Sequence, residues 1–128
     1  QLYLRVGDLY PQNEKPAVRL GDNLQCTILE MTSKRLGATA VLDEHDQLRG
    51  IITDGDLRRM LERGADLNAL LARDIMSQNP KTVTADTMAV KALEIMRRKS
   101  ITQLIVTTQA RDYLGIVHLH DLIREGLI

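Results

Sequence analysis

Thr53, Asp56, Arg58 and Arg59 follow directly on the apolar run Gly50-Ile51-Ile52, and residues of these types at this spacing have a definite chemistry. A carboxylate such as Asp56 can accept both hydroxyls of a ribose diol. The Thr53 hydroxyl can donate to a phosphate oxygen, and the N–H groups that open a helix add further donors. Arg58 or Arg59 can neutralise a phosphate or a sugar carboxylate. Successive helix positions point about 100° apart, so only one of the two arginines is expected to face a pocket. Val18, Ile51 and Ile52 offer aliphatic walls for a base. The same residues also have a plainer use. Thr53 followed three positions later by Asp56 is close to a capping box. Asp54 and Asp56 suit the positive end of a helix with no ligand present, and both repel phosphate. Spacing alone leaves the two readings open, with Asp54 kept in the candidate set.

The arrangement recurs. Gly115-Ile116-Val117-His118-Leu119-His120-Asp121 echoes it, and the same interval separates Gly50 from Gly115 and Asp56 from Asp121. His118 replaces the threonine. Histidine can donate to phosphate and is charged below a pKa near 6.5. His118 and His120 form a His-x-His pair, but no cysteine or third histidine lies near, so no metal is assigned. Lys81, Thr82 and Val83 before the helix of this half, with Thr102 and Gln103 in the next strand, are candidates to line a cleft. Their first-half counterparts include Lys15, Pro16, Ala17, Val18, Ala38 and Thr39. Of these, Lys15, Ala17, Val18 and Thr39 join the candidate ligand-binding set. Taken singly, each reads as scaffold.

Each half predicts the order β-α-β-β-α. Val6-Gly7-Asp8-Leu9 opens the first half and Ala72-Arg73-Asp74-Ile75-Met76 the second. Asp22 is expected to cap the first helix, with Gln25 completing a capping box and Leu24, Ile28, Leu29 and Met31 as its apolar stripe. Asp86 is expected to cap the corresponding helix, with Met88, Ala92, Leu93 and Met96 on its inner face. Ala38–Leu42 and 101–106 read as strands, and Asp43-Glu44-His45-Asp46 as a hairpin turn. Gly64 and Gly126 sit where a residue just past a helix end belongs. The stretch 62–73 carries Leu67, Leu70 and Leu71, more aliphatic surface than a flexible linker holds. It reads as a packed connection, with the two halves forming one rigid unit. Cys26 reads as a small buried residue, and Arg97-Arg98-Lys99 as a solvated helix end.

A single unit of roughly 60 residues buries a marginal fraction of its surface, so two repeats sharing 128 residues are the economical reading. Basic and acidic residues number 17 each, which argues against nonspecific nucleic-acid or anionic-membrane partners. The one cysteine excludes an internal disulfide and fits the cytoplasm. Three tyrosines, with no Phe or Trp, leave little for base stacking. The longest apolar runs are strand-length, so no membrane span is expected. The opening Gln1-Leu2-Tyr3-Leu4-Arg5 lacks an initiator methionine and a leader, so the chain is expected to be part of something larger.

Over essentially its whole length the chain resembles a tandem pair of CBS domains, repeats named after the C-terminal region of cystathionine β-synthase. Gly50-Ile51-Ile52-Thr53-x-x-Asp56 is similar to that family's Gly-x-x-(Thr/Ser)-x-x-(Asp/Asn) ribose-phosphate motif. The second copy departs from it at His118. The resemblance implies an α+β fold of two β-α-β-β-α repeats, 1–70 and 71–128, with pseudo-twofold symmetry. It also implies an adenine or related nucleotide bound in clefts between repeats, and a homodimer or higher oligomer. Thr53-Asp54-Gly55-Asp56-Leu57-Arg58-Arg59, His118-Leu119-His120-Asp121-Leu122 and the ending Arg124-Glu125-Gly126-Leu127-Ile128 resemble the C-terminal CBS pair of bacterial arabinose-5-phosphate isomerases. That likeness implies a sugar-isomerase (SIS) catalytic domain preceding this chain. The pathway implied is synthesis of Kdo, the acidic sugar of lipopolysaccharide, with CMP-Kdo as an effector. No cofactor is required. No acid–base pair or activated nucleophile stands out, so no catalytic residue is assigned. A ligand-sensing module, a structural dimerisation module with vestigial pockets, and an enzyme in its own right are the readings carried forward.

Overall fold

Ala38-Thr39-Ala40-Val41-Leu42 is buried at every position, and a strand covered on both faces organises the first half of the chain. The computed structural model describes residues 3–64 and 66–128; Gln1, Leu2 and Ala65 lie outside the described residues. Two compact units result. One is Lys15–Pro80, here the first unit. The other joins the segment ending at Glu14 to Lys81–Ile128. Division by repeat and division by packing therefore differ. Val6–Leu9 leads the first repeat in sequence but packs in the second unit, while Ala72–Ile75 packs in the first.

The first unit contains β1 (Ala17–Arg19), α1 (Leu24–Lys34), β2 (Ala38–Leu42), β3 (Leu48–Thr53), α2 (Asp54–Glu62), α3 (Ala72–Ile75) and β4 (Ser77–Gln78). Its sheet runs β1-β2-β3-β4. β1 is parallel to β2, which requires the crossover that α1 supplies, whereas β2 and β3 form an antiparallel hairpin across the Asp43–Asp46 turn. The second unit contains β5 (Thr82–Val83), α4 (Ala89–Lys99), β6 (Gln103–Thr107), β7 (Tyr113–His118) and α5 (Leu119–Arg124), with sheet order β5-β6-β7. The expected β-α-β-β-α order appears in both. Val18, Met31, Val41, Ile52, Met60 and Ile75 form the first core. Val6, Leu9, Leu93, Met96, Leu104, Val117 and Leu122 form the second. Each such side chain contributes about 1.5–3 kcal/mol when fully buried.

Both motif glycines are explained by close approach. A Cβ on Gly50 would stand 2.6 Å from Met76 Sδ and 2.8 Å from the Ser77 carbonyl oxygen. One on Gly115 would stand 2.8 Å from the Tyr10 ring. Gly64 and Gly126, both with positive φ, follow the ends of α2 and α5 as expected. The connection after α2 is packed through Leu70, and Ala72 and Arg73 donate backbone N–H groups to Asp22 and Leu20 carbonyls.

Several helix details differ from expectation. Asn23, not Asp22, caps α1; its Oδ1 accepts the Cys26 N–H at 2.8 Å. Asp22 instead accepts the Arg19 N–H at 2.8 Å and closes the turn after β1. Asp86 does not cap α4. It accepts the Thr84 hydroxyl, and the orphan N–H of Ala89 donates to the Leu4 carbonyl at 2.8 Å. The buried line on α1 is Leu24, Thr27 and Met31, while Ile28 and Leu29 are exposed. Thr27 is tolerated inside because its hydroxyl donates to the Asn23 carbonyl. Cys26 is exposed rather than buried, on the outward side of α1's first turn.

Candidate functional site

The end of β3 runs straight into α2, so Thr53 is both the last strand residue and the helix N-cap. Its hydroxyl accepts the Asp56 N–H at 3.2 Å, and its own N–H donates to Asp56 Oδ2 at 2.9 Å. This is the capping box that spacing allowed. The Thr53 hydroxyl also donates to Asp56 Oδ2, at 3.1 Å. Two further groups hold the other carboxylate oxygen. Arg59 donates to Oδ1 at 2.7 Å and the Ser77 hydroxyl donates to it at 3.3 Å. The Asp56 side chain is only 9% exposed, against 60% for Arg59. Asp54 and Arg58 are exposed on the same turns. Of the two arginines, Arg59 is the one engaged with the carboxylate.

The second copy is built alike with different atoms. His118 caps α5, its Nδ1 accepting the His120 N–H at 3.0 Å. Its backbone N–H donates to Asp121 Oδ2 at 2.8 Å. Arg124 donates to Asp121 Oδ1 at 2.5 Å, and Asn13 donates its amide to Oδ2 at 2.8 Å and to the Ile116 carbonyl at 2.9 Å. Asp121 is almost fully buried. The His118 and His120 rings lie 4.4 Å apart. Burial lowers the His118 pKa from its ordinary value, and His120 lowers it further, against the opposing pull of Asp121. Among the described residues no cluster of three or more His, Cys, Asp or Glu side chains is placed to hold a metal ion.

The remaining candidates divide by depth. Thr39 pairs with Ile52 and Ala38 with Thr53, while Ala17 pairs with Ala40 and Val18 with Val41. Val18, Thr39 and Ile52 are buried, and the Thr39 hydroxyl donates to the Ala40 carbonyl at 3.1 Å. Lys15 is exposed and Ala17 half-buried; the Ala17 N–H donates to Glu30 at 2.9 Å. In the second unit Gln103 pairs with His118, and the Leu119 N–H donates to the Thr102 carbonyl at 2.8 Å. Lys81 and Thr102 are exposed, Thr82 is half-buried and Val83 buried.

Sequence reasoning missed Arg124, Ser77 and Asn13. The Asp121–Arg124 spacing repeats that of Asp56–Arg59, so Arg124 was readable. Ser77 and Asn13 come from segments far along the chain and carry no local signal. Chemically, each arrangement is a preassembled carboxylate held on both oxygens by internal donors. A vicinal diol presents two hydroxyl donors and can take the places of Arg59 and Ser77, leaving the guanidinium free for phosphate.

A family model described as CBS domain matches residues 6–63 and again 72–127. Among curated proteins, the chain is 43% identical over its whole length to the arabinose 5-phosphate isomerase KdsD of Pseudomonas aeruginosa and 37% identical to that of Escherichia coli K12. It covers 40% and 39% of those proteins, about two-fifths of their length. Among solved structures, it matches a CBS domain protein of Pyrobaculum aerophilum complexed with AMP, with TM-score 0.84, 20% identity, and coverage of 93% of this chain and 90% of that one. It also matches CBSX2 in complex with AMP, with TM-score 0.80, 19% identity, and coverage of 97% and 96%. At these identities the structural matches speak to fold.

Proposed function

This chain belongs to the CBS-domain family, and from that premise we propose that it is the regulatory, nucleotide-sensing part of a bacterial arabinose-5-phosphate isomerase. The observation that carries the reading is the end-to-end match to such isomerases, which leaves three-fifths of their length for a catalytic SIS domain outside this chain. On this reading the pair works in the cytoplasm as part of a homodimer or larger homo-oligomer and supplies regulation rather than catalysis. Among the described residues no helix is long and apolar enough to cross a membrane.

The effector is a nucleotide: an adenine nucleotide, or CMP-Kdo if control is exerted from the Kdo pathway. The ribose diol takes the Asp56 carboxylate in place of Arg59 and Ser77, and the released Arg59 meets the phosphate. Two solved structures of the same fold hold AMP, which supports the adenine-nucleotide form. Binding one arrangement of the parent enzyme more tightly than another shifts its equilibrium, and the coupling is reciprocal.

A thermal-shift and calorimetric panel of AMP, ATP, CMP and CMP-Kdo tests this. Saturation at a hundred times Kd stabilises by about 2.7 kcal/mol, a readily measured rise in Tm. The rise should vanish in Asp56→Asn, which keeps a capping acceptor but loses the charge. A panel with no stabilisation at millimolar ligand points instead to a structural dimerisation module with vestigial pockets.

A further inference from the structure

We propose that the first unit carries a second small-molecule site, a cationic pocket for a phosphate-bearing metabolite, at the end of its sheet remote from Thr53 and Asp56. In the β2–β3 hairpin, Ala38 pairs with Thr53 at one end and Leu42 with Leu48 at the other. Arg19, at the end of β1, pairs with Leu42. A surface pocket of about 530 Å³ opens there, within the ordinary range for small-molecule sites. Leu20 and Leu42 supply an apolar lining, and Arg19, Arg49, Arg73 and His45 supply cationic or protonatable groups.

The donors of this pocket are incompletely used. Arg73 makes no ion pair or side-chain hydrogen bond among the described residues, and its guanidinium lies against the turn at Gly21, 3.4 Å from where a Cβ would stand. Arg49 reaches Asp43 only at 3.8 Å. The Asp43 carboxylate is already committed to the backbone N–H groups of His45 and Gln47, at 2.8 and 3.0 Å, and these hold its pKa below the usual carboxylate range. Glu44 also lines the pocket, but its carboxylate is 3.7 Å from His45 and strongly exposed. Arg19 is the one satisfied arginine, paired with Asp46 at 2.5 Å and donating to the Asp43 carbonyl at 2.8 Å. A tetrahedral phosphate dianion with three terminal oxygens suits convergent guanidinium forks better than a single carboxylate does.

The duplicated fold provides an internal control. Arg73 donates its N–H to the Leu20 carbonyl, as Gly7 does to Ala85; Ala72 donates to Asp22, as Val6 does to Thr87. The turn bond from Asp43 to Gln47 is matched by that from Thr108 to Asp112. In this common frame Arg19, His45, Arg49 and Arg73 correspond to Thr84, Ala110, Leu114 and Gly7. All four basic groups are absent from those places in the second unit. The cation of its turn, Arg111, stands at the position of Asp46. A Cβ on Gly7 would also meet Ala85 backbone oxygen at 3.0 Å, so the matching space is narrow. The cluster is thus a property of this unit's sequence rather than a by-product of the fold.

Amide-resolved NMR titration of the chain with inorganic phosphate and with ribose 5-phosphate tests the site. The expected result is saturable shifts at Leu20, Gly21, Arg49 and Arg73 that weaken as sodium chloride rises. The double variant Arg49→Gln/Arg73→Gln should bind about tenfold more weakly or worse with its other amide positions unmoved. Asp56→Asn should leave these shifts intact, which separates this site from the nucleotide reading. No saturable shift, shifts confined to 53–59, or undiminished affinity in the double variant would each overturn the proposal.

Discussion

Arg59 donates to Oδ1 of Asp56 at 2.7 Å, so the carboxylate suited to a ribose diol already holds an internal cation. Arg124 holds Asp121 in the same way at 2.5 Å. On the proposed nucleotide reading, ligand entry would be an exchange of donors, with the arginine changing partner rather than waiting unpaired.

That exchange has a measurable signature in Arg59→Gln. The ion pair is exposed on the arginine side, so folding stability should change by less than about 1 kcal/mol. Affinity for AMP should fall while affinity for adenosine, which has a diol but no phosphate, holds or improves. Calorimetry on both ligands reads the ratio; an equal loss for the two would remove phosphate from Arg59's role.

Asp56→Ala and Asp121→Ala should differ in stability without any ligand. Losing the cap at Asp56 costs about 1–2 kcal/mol. Asp121 is more deeply buried and also anchors Asn13, which links the N-terminal segment to β7, so its loss should cost about 3 kcal/mol. Denaturant midpoints for both variants in one buffer give the comparison.

The cap at His118 makes the second copy sensitive to pH. Its Nδ1 accepts a backbone N–H and cannot do so once protonated. The folded pKa is lowered, so the unfolded chain binds the proton first and stability falls as pH drops. The contribution is complete above the ordinary histidine value near 6.5 and is lost progressively below it, through the lower folded pKa. Urea midpoints at pH 8 and pH 5 should separate more in the parent than in His118→Thr. Equal separation would place the effect elsewhere.

Gly50→Ala and Gly115→Ala should each cost about 1–3 kcal/mol through overpacking, but only one should be rescuable. Gly115 meets the Tyr10 ring, so Tyr10→Leu should recover part of the loss. Gly50 meets the Ser77 backbone oxygen as well as Met76, and trimming Met76 leaves that clash in place. Thermal melts of the single and double variants distinguish the cases.

A homodimer through helix faces would draw on aliphatics rather than on Met31, Met60 and Met96, which are buried. Among the described residues, Ile28, Leu29, Leu61, Val90 and Ile123 are the exposed large aliphatics on the α-helices. Leu29→Glu should leave the melting temperature within a few degrees while shifting sedimentation toward the monomer if that face associates.

The repeat, the strand-to-helix motif, the element order and the two glycine stops were all legible in the chain, because each rests on local pattern. Periodicity was less reliable on α1. Leu24, Ile28, Leu29 and Met31 all look apolar, yet only a line through Thr27 faces inward, and a threonine can be buried there because its hydroxyl reaches a backbone carbonyl. The caps were misplaced by a residue or two for a related reason. Asp22 and Asp86 had competing partners in the turns before the helices, and those bonds are made instead.

From the amino-acid order alone came the duplication, the α+β class, the family resemblance and the pairing of Thr53 with Asp56. The tertiary structure decided what surrounds each carboxylate. Ser77 reaches Asp56, Asn13 reaches Asp121, and the segment through Glu14 packs with Lys81–Ile128. The reason is physical: a capping box closes within one helical turn, whereas these contacts join positions distant along the chain and form only once the strands between them have paired.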